Sequence, residues 1–295
     1  MRVTFNHLRE GIQQINAAAE DFAQAQWQVS TGLRLRAPSD DPAAAQRAVL
    51  DQASIDALDA YKSVSGAAST RLTALDTTLD GLGEKITAAL TALQGSLGST
   101  ATQSVRDAAA ITFQGIRAAI LADINTSVNG TPLFGGTGSN QDPYAKVSGV
   151  WTYQGTSQPA TVAIGPNTKV AITFDGESIL KGSDATDVLS LLDSLATAAQ
   201  SGDATTLQAG QSLLKNAFSR VTQAQSQVGF DELSVSDGEE QLSSRRLSAT
   251  TRLAEDREVN MAEALTRMSR AQTAYQAALG AVAATSKQSL MDYIR

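Results

Sequence analysis

A heptad-like register runs along the start of the chain through Phe5, Leu8, Ile12, Ile15, Ala19, Phe22, Gln26 and Val29, in steps that alternate three and four residues. Such spacing is the a/d seam of a helix that seeks a partner helix. Met261, Leu265, Met268, Tyr275, Leu279 and Val282 offer a similar stripe at the other end. Ala19 and Gln26 dilute the first seam, so the two ends are expected to associate weakly in an isolated molecule. Both apolar faces therefore read as assembly surfaces.

Between these ends the pattern changes four times. Gly32 and Pro38 break the first helix, and Asp41 before Pro42 supplies an N-cap with proline at the first helical position. The stretch Gly32, Arg34, Pro38, Asp40, Asp41 and Pro42 is thus read as a structured joint. A long helix with Tyr61, Val64, Ala68, Leu72, Leu75, Leu79, Leu82, Ile86 and Leu93 on one face ends at Gly95 and Gly98, and a third follows with Val105, Ala109, Phe113, Ile116, Ile120 and Ile124. Gly66, Gly81 and Gly83 inside the second helix signal close helix contact or a bend.

From Asn129 the turn residues multiply, and short β-branched or aromatic runs at 150–153, 161–164 and 170–174 predict a small β insert over 130–182. Helical pattern returns at Val188–Ala199 and again with Leu207, Leu214, Phe218, Val221 and Val228. Leu233, Leu242, Leu247 and Leu253 continue a thinner line that Gly229 and Gly238 interrupt. The charges between Gly229 and Val259 read as a solvated helix with ion pairs. The expectation is a mainly α, elongated antiparallel rod with its terminal helices paired at one end and the β insert at the other. Its parts would be 1–42 with 253–295, 43–129 with 183–252, and 130–182.

Composition narrows the function. Among 295 residues the aromatic content is 5% and there are 22 glycines, which suits thin helical layers better than one thick core. A net charge of −7 provides no basic field for phosphate backbones, so nucleic acid is not an expected partner. The absence of cysteine from the sequence removes disulfides and thiolate chemistry. The amphipathic first residues, with Glu10 and Glu20, lack the apolar run of a cleavable signal, and no stretch suits a membrane span.

Candidate chemistry is sparse. A Ser-His-Asp set would have to use His7, the one histidine, which lies in the first amphipathic stripe. Gly135-Gly136-Thr137-Gly138 lacks the lysine of a phosphate loop. Asp40-Asp41 is too small a ligand set for calcium and reads as capping. Asn125-Thr126-Ser127 and Asn129-Gly130-Thr131 match glycosylation sequons. No catalytic, metal or cofactor site is expected.

The block Val29-Ser30-Thr31-Gly32-Leu33-Arg34-Leu35-Arg36-Ala37-Pro38-Ser39-Asp40-Asp41-Pro42-Ala43 resembles the joint of the flagellin family. The run from Leu253-Ala254-Glu255-Asp256 through Met261-Ala262-Glu263-Ala264 and Arg270-Ala271-Gln272 resembles that family's return segment. Three features resemble the members that join hook to filament: Pro38-Ser39-Asp40-Asp41-Pro42, the lead Leu133-Phe134-Gly135-Gly136-Thr137 into one small insert, and the ending Leu290-Met291-Asp292-Tyr293.

The resemblance implies a structural subunit of the bacterial flagellum, exported unfolded through the type III apparatus without a cleavable signal peptide and located outside the cell. Its implied partners are copies of itself in a ring or tube, a neighbouring hook-associated protein, flagellin and an export chaperone. Terminal helices that are poorly ordered in the monomer and packed by neighbours are also implied. Filament flagellin and a soluble coiled-coil scaffold are the alternatives. An enzyme with its site on the β insert is disfavoured because no nucleophile and base set is present.

Overall fold

The computed structural model describes residues 2–98, 101–137 and 141–293, with side chains from residue 9 to residue 284. The side chains of Phe5, His7, Leu8 and the run from Leu290 to Tyr293 lie outside that description. So do Gly138 of the glycine-rich turn and the centre of the helix connection after Gly98.

The fold is mainly α. Its helices are α1 (Arg2–Thr31), α2 (Pro42–Leu97), α3 (Gln103–Ile124), α4 (Gly176–Leu180), α5 (Val188–Ser201), α6 (Ala204–Arg257) and α7 (Met261–Tyr293). Six short strands lie between α3 and α4: β1 (Ser127–Val128), β2 (Thr131–Pro132), β3 (Tyr144–Val147), β4 (Val150–Tyr153), β5 (Thr161–Ala163) and β6 (Lys169–Ala171). The chain forms two compact units, Met1–Ala57 with Arg245–Arg295, and Leu58–Ser244. Helices α2 and α6 supply residues to both.

The larger unit has a continuous apolar core. Leu72, Leu75, Leu79, Leu82, Ile86 and Leu93 of α2 recur in steps of three, four and seven, so they line one helical face, and all are buried. Phe113, Ile116, Ile120 and Ile124 of α3 join them, with Leu189, Leu192 and Leu195 of α5 and Leu214, Val221 and Val228 of α6. Helix α5 starts where the Asp187 carboxylate accepts the Ser190 N–H at 2.9 Å, and stops at Gly202, whose φ of +75° suits a left-handed cap.

The stripes predicted from sequence contain residues that this core leaves out. Val64, Val105, Phe218 and Leu233 are exposed, because each helix presents only part of its apolar arc to a neighbour. Helix α6 is unbroken at Gly229 and Gly238. At Gly238 an added Cβ would stand 3.3 Å from Ile164 Cδ1, so this glycine permits close approach of the β insert and does not end the helix. Gly83 likewise faces Val221 and Phe218, whereas Gly66 faces open space.

The β insert is three separate antiparallel hairpins, β1–β2, β3–β4 and β5–β6. The run predicted at 170–174 ends its ladder at Ala171, because the Phe174 N–H turns to donate to the Leu133 carbonyl at 2.9 Å. Arg71 of α2, itself buried, ties the insert down. Its guanidinium donates to the carbonyls of Ile172 and Pro132, each at 2.5 Å, and more distantly to those of Thr131 and Val128. Burial without a carboxylate partner holds its pKa below the ordinary arginine value.

Candidate assembly surface and joint

Both stretches that the sequence singles out fall in the smaller unit, where α1 packs along α7. The least exposed positions of α1 include Gly11, Ile15, Ala18, Phe22, Ala25 and Val29, and those of α7 include Ala264, Met268, Ala271, Tyr275, Ala278 and Val282. Each set keeps the three-four alternation but puts a small residue at every second position. Phe22 and Tyr275 stack with ring centroids 6.4 Å apart, and at Gly11 an added Cβ would lie 2.8 Å from Val282 Cγ2.

This register differs from the sequence expectation by one residue at several places, and the reason is steric. Backbones that approach through glycine and alanine pack closely, and the bulky residues one step away are left outside. Ile12 is 49% exposed and Leu265 48%, with Met261 and Leu279 also exposed. Ile15, Phe22, Val29, Met268, Tyr275 and Val282 of the expected interface do lie on the α1–α7 seam.

The joint is built from polar groups and backbone. Gly32, with φ of +70°, closes α1 by donating its N–H to the Gln28 carbonyl at 2.9 Å. The chain then pairs with the segment after α6. The Arg34 N–H donates to the Arg257 carbonyl at 2.7 Å, and the Val259 N–H donates to the Gly32 carbonyl at 2.9 Å. The Arg34 side chain donates to the Asp41 carboxylate at 3.1 Å and to the Asp256 carbonyl at 2.9 Å.

The two aspartates before Pro42 have separate tasks. Asp40 closes the turn by accepting the N–H groups of Arg36 and Ala37 at 2.8 and 2.9 Å. Asp41 caps α2 by accepting the Ala44 N–H at 3.0 Å. Both carboxyls are held below the usual carboxylate range, Asp40 by those backbone donors and Asp41 by Ala44 and then Arg34. Pro38 and Pro42 flank the pair, and Pro42 opens α2 where no N–H partner is needed.

Other residues complete the joint. The Arg47 guanidinium grips the Asp256 carboxylate, which lowers the pKa of Asp256, and Arg252 pairs with Asp51 at 2.8 Å. The mixed-charge run thus carries the ion pairs its residue types suggested, and these two reach across to α2. Asn260 caps α7 by accepting the Ala262 N–H at 3.1 Å, a signal present in the sequence as Asn before Met-Ala-Glu. Buried Gln28 donates to the Arg34 carbonyl at 3.2 Å, linking seam and joint, and no local pattern announces that pairing.

Beside the seam, Asp21, Gln24, Arg267 and Arg270 border a groove of about 440 Å³ floored by Ala25, Ala271 and Ala274. Further apolar side chains of this unit face outward: Val49 is 68% exposed, Leu50 63% and Leu247 69%. Among the described residues no group of three or more His, Asp or Glu side chains could hold a metal ion, and no helix is long and apolar enough to cross a membrane. The arrangement can hold two chain ends together and offer exposed apolar side chains such as Ile12 and Leu265 to another helix.

Residues 6–139 match the family model described as the bacterial flagellin N-terminal helical region. No curated protein matches the sequence significantly. Solved structures share the fold. One is a Vibrio parahaemolyticus protein assigned as a flagellar hook-associated protein, 18% identical with a TM-score of 0.69 over 74% of this chain and 100% of that one. FlgL of Xanthomonas campestris is 15% identical with a TM-score of 0.63, over 69% and 99%. Flagellar hook-associated protein 3 of Legionella pneumophila is 12% identical with a TM-score of 0.64, over 70% and 98%.

Proposed function

We propose that the chain is a flagellin-family structural subunit joining hook to filament, a reading supported by the match of residues 6–139 to the flagellin N-terminal helical region and by the fold it shares with hook-associated proteins. It assembles as a ring through its terminal helices after export without a cleavable signal peptide. Its neighbours are copies of itself, an adjoining hook-associated protein and flagellin, and an export chaperone holds it before assembly.

One observation carries this reading. Among the described residues of the smaller unit, the fully buried apolar side chains are Ala25, Ala44, Ala48, Ile55, Ala249 and Ala264, larger ones such as Phe22 and Tyr275 are half-buried on the seam, and Ile12, Val49, Leu50, Leu247, Met261, Leu265 and Leu279 are exposed. A monomer gains nothing from that distribution, whereas neighbouring helices would cover it. The joint then keeps both terminal helices in a common frame. The sequence stripe also contains Phe5 and Leu8, whose side chains lie outside the described residues.

The test replaces Ile12 and Leu265 by Asp. Because both are half exposed in the monomer, the variant should fold normally by circular dichroism and fail to attach filaments in cells. Normal filament attachment by the double variant would overturn the assembly role. Filament flagellin is the second reading, favoured by the flagellin description of the matched region. Counting subunits decides it, since a junction subunit is a minor component confined to the filament base and a flagellin runs the whole length.

A further inference from the structure

Asn129 and Gly130 form the loop of the β1–β2 hairpin, both with positive φ, +53° and +76°, as a two-residue I′ turn requires. Both are exposed, and Asn129-Gly130 is the sole Asn-Gly pair in the sequence. Nothing lies within 4 Å of where a side chain on Gly130 would begin. Among the described residues, neither the Asn129 amide nor the Gly130 N–H forms a hydrogen bond. Asn125, a few residues earlier, is the opposite case. Its amide donates to the Tyr144 carbonyl and accepts the Tyr144 N–H, each at 2.9 Å, and the bulkier Thr126 follows it.

We propose that Asn129 is a site of spontaneous deamidation, in which the unobstructed Gly130 nitrogen attacks the free Asn129 side-chain amide. The Gly130 N–Cγ bond forms, the Cγ–Nδ2 bond breaks, and Nδ2 leaves as ammonia with the proton that Gly130 gives up through water. Water then opens the cyclic imide at Cγ to give aspartate, or at the backbone carbonyl to give isoaspartate. No oxidant or cofactor is needed. The left-handed turn must swing open for the attack, and only two residue pairs, Ser127 with Pro132 and Val128 with Thr131, hold the hairpin. So short a ladder opens locally at little cost.

The product has a structural consequence. Isoaspartate adds a methylene to the backbone of a turn with no spare length. The hairpin carbonyls of Val128, Thr131 and Pro132 are acceptors for buried Arg71, which has no carboxylate to replace them. Deamidation at Asn129 therefore loosens the attachment of the β insert to α2.

The test incubates the full, folded chain at mildly alkaline pH and maps its peptides by mass spectrometry, with enzymatic methylation to mark isoaspartate. Asn129 should convert at least about tenfold faster than Asn125 in the same sample, a barrier difference of about 1.4 kcal/mol, and Asn129→Gln should abolish the signal. Equal persistence of both amides, or conversion only after unfolding in urea, overturns the proposal. In the isoaspartate fraction, the β1–β2 amides should lose hydrogen-exchange protection. Retained protection there would overturn the link to Arg71.

Discussion

The two compact units differ in the size of the side chains they bury. In Leu58–Ser244 the largest fully buried side chains are Phe113, Phe134 and a series of leucines and isoleucines. Among the described residues of the smaller unit Ile55 stands among fully buried alanines, Phe22 and Tyr275 are half-buried on the seam, and Ile12, Leu50 and Leu265 are exposed. The first unit folds around a continuous core of its own bulky side chains, although it too leaves large apolar residues exposed, among them Ile111, Phe230 and Leu233. The second is held by caps, backbone pairing and ion pairs at the joint, and under the proposed function its exposed apolar side chains are covered by another molecule.

The sharpest way to break this comparison is to truncate the larger core. Phe113→Ala should destabilise the monomer by about 3–5 kcal/mol, measured by urea denaturation, while Ile12→Asp should leave the same transition nearly unmoved. Equal losses from the two substitutions would erase the distinction between the units.

A smaller effect is expected at Arg71. Replacing it by Leu strands the buried carbonyls of Pro132 and Ile172, at a cost of about 1–3 kcal/mol, and should release exchange protection in the β insert before that of α3 or α5. Uniform loss of protection across the larger unit would mean that Arg71 supports the whole core and not the insert.

The smallest effect belongs to the joint. Asp41→Ala removes the cap of α2 and the partner of Arg34 and should lower stability by less than the loss at Arg71. The depressed carboxyls of Asp40, Asp41 and Asp256 set the pH direction. Their contribution is fully present above the unfolded carboxylate range of about 4. It is lost as pH falls through the lower folded values, since the unfolded chain binds those protons first. Exchange at the Arg34 and Val259 amides should therefore rise in acid, and an exchange profile flat through that range, after correction for intrinsic rates, would remove these carboxylates from the account.

Much of this architecture is legible along the chain. Helices α2, α3 and α5 follow from apolar periodicity, and the joint follows from Gly32, Asp41 and Pro42, whose backbone requirements are local. The paired strand Tyr144–Val147 escaped because a four-residue run carries little pattern, although Ser148-Gly149 after it supplies the positive φ of a turn. The flagellin resemblance rested on the same joint residues and agrees with the matched region 6–139.

The sequence by itself determined that both ends are amphipathic helices and that a capped joint follows the first. These depend on spacing and on groups a few residues apart. Only the tertiary structure decided which stripe became the seam. At Ile12 and Gly11 either register satisfies a heptad, and the choice turns on how closely α1 can approach Val282 and its neighbours on α7. It likewise decided that Arg47 and Gln28 belong to the joint, and which segment Arg34 pairs with there, because the partners at Asp256, Arg267 and Arg257 lie more than two hundred residues away in the chain. Between Gly11 and Val29 the helix thus has two faces, a seam of alternating small and large residues used within the chain and an exposed one at Ile12 that is proposed to meet a neighbour.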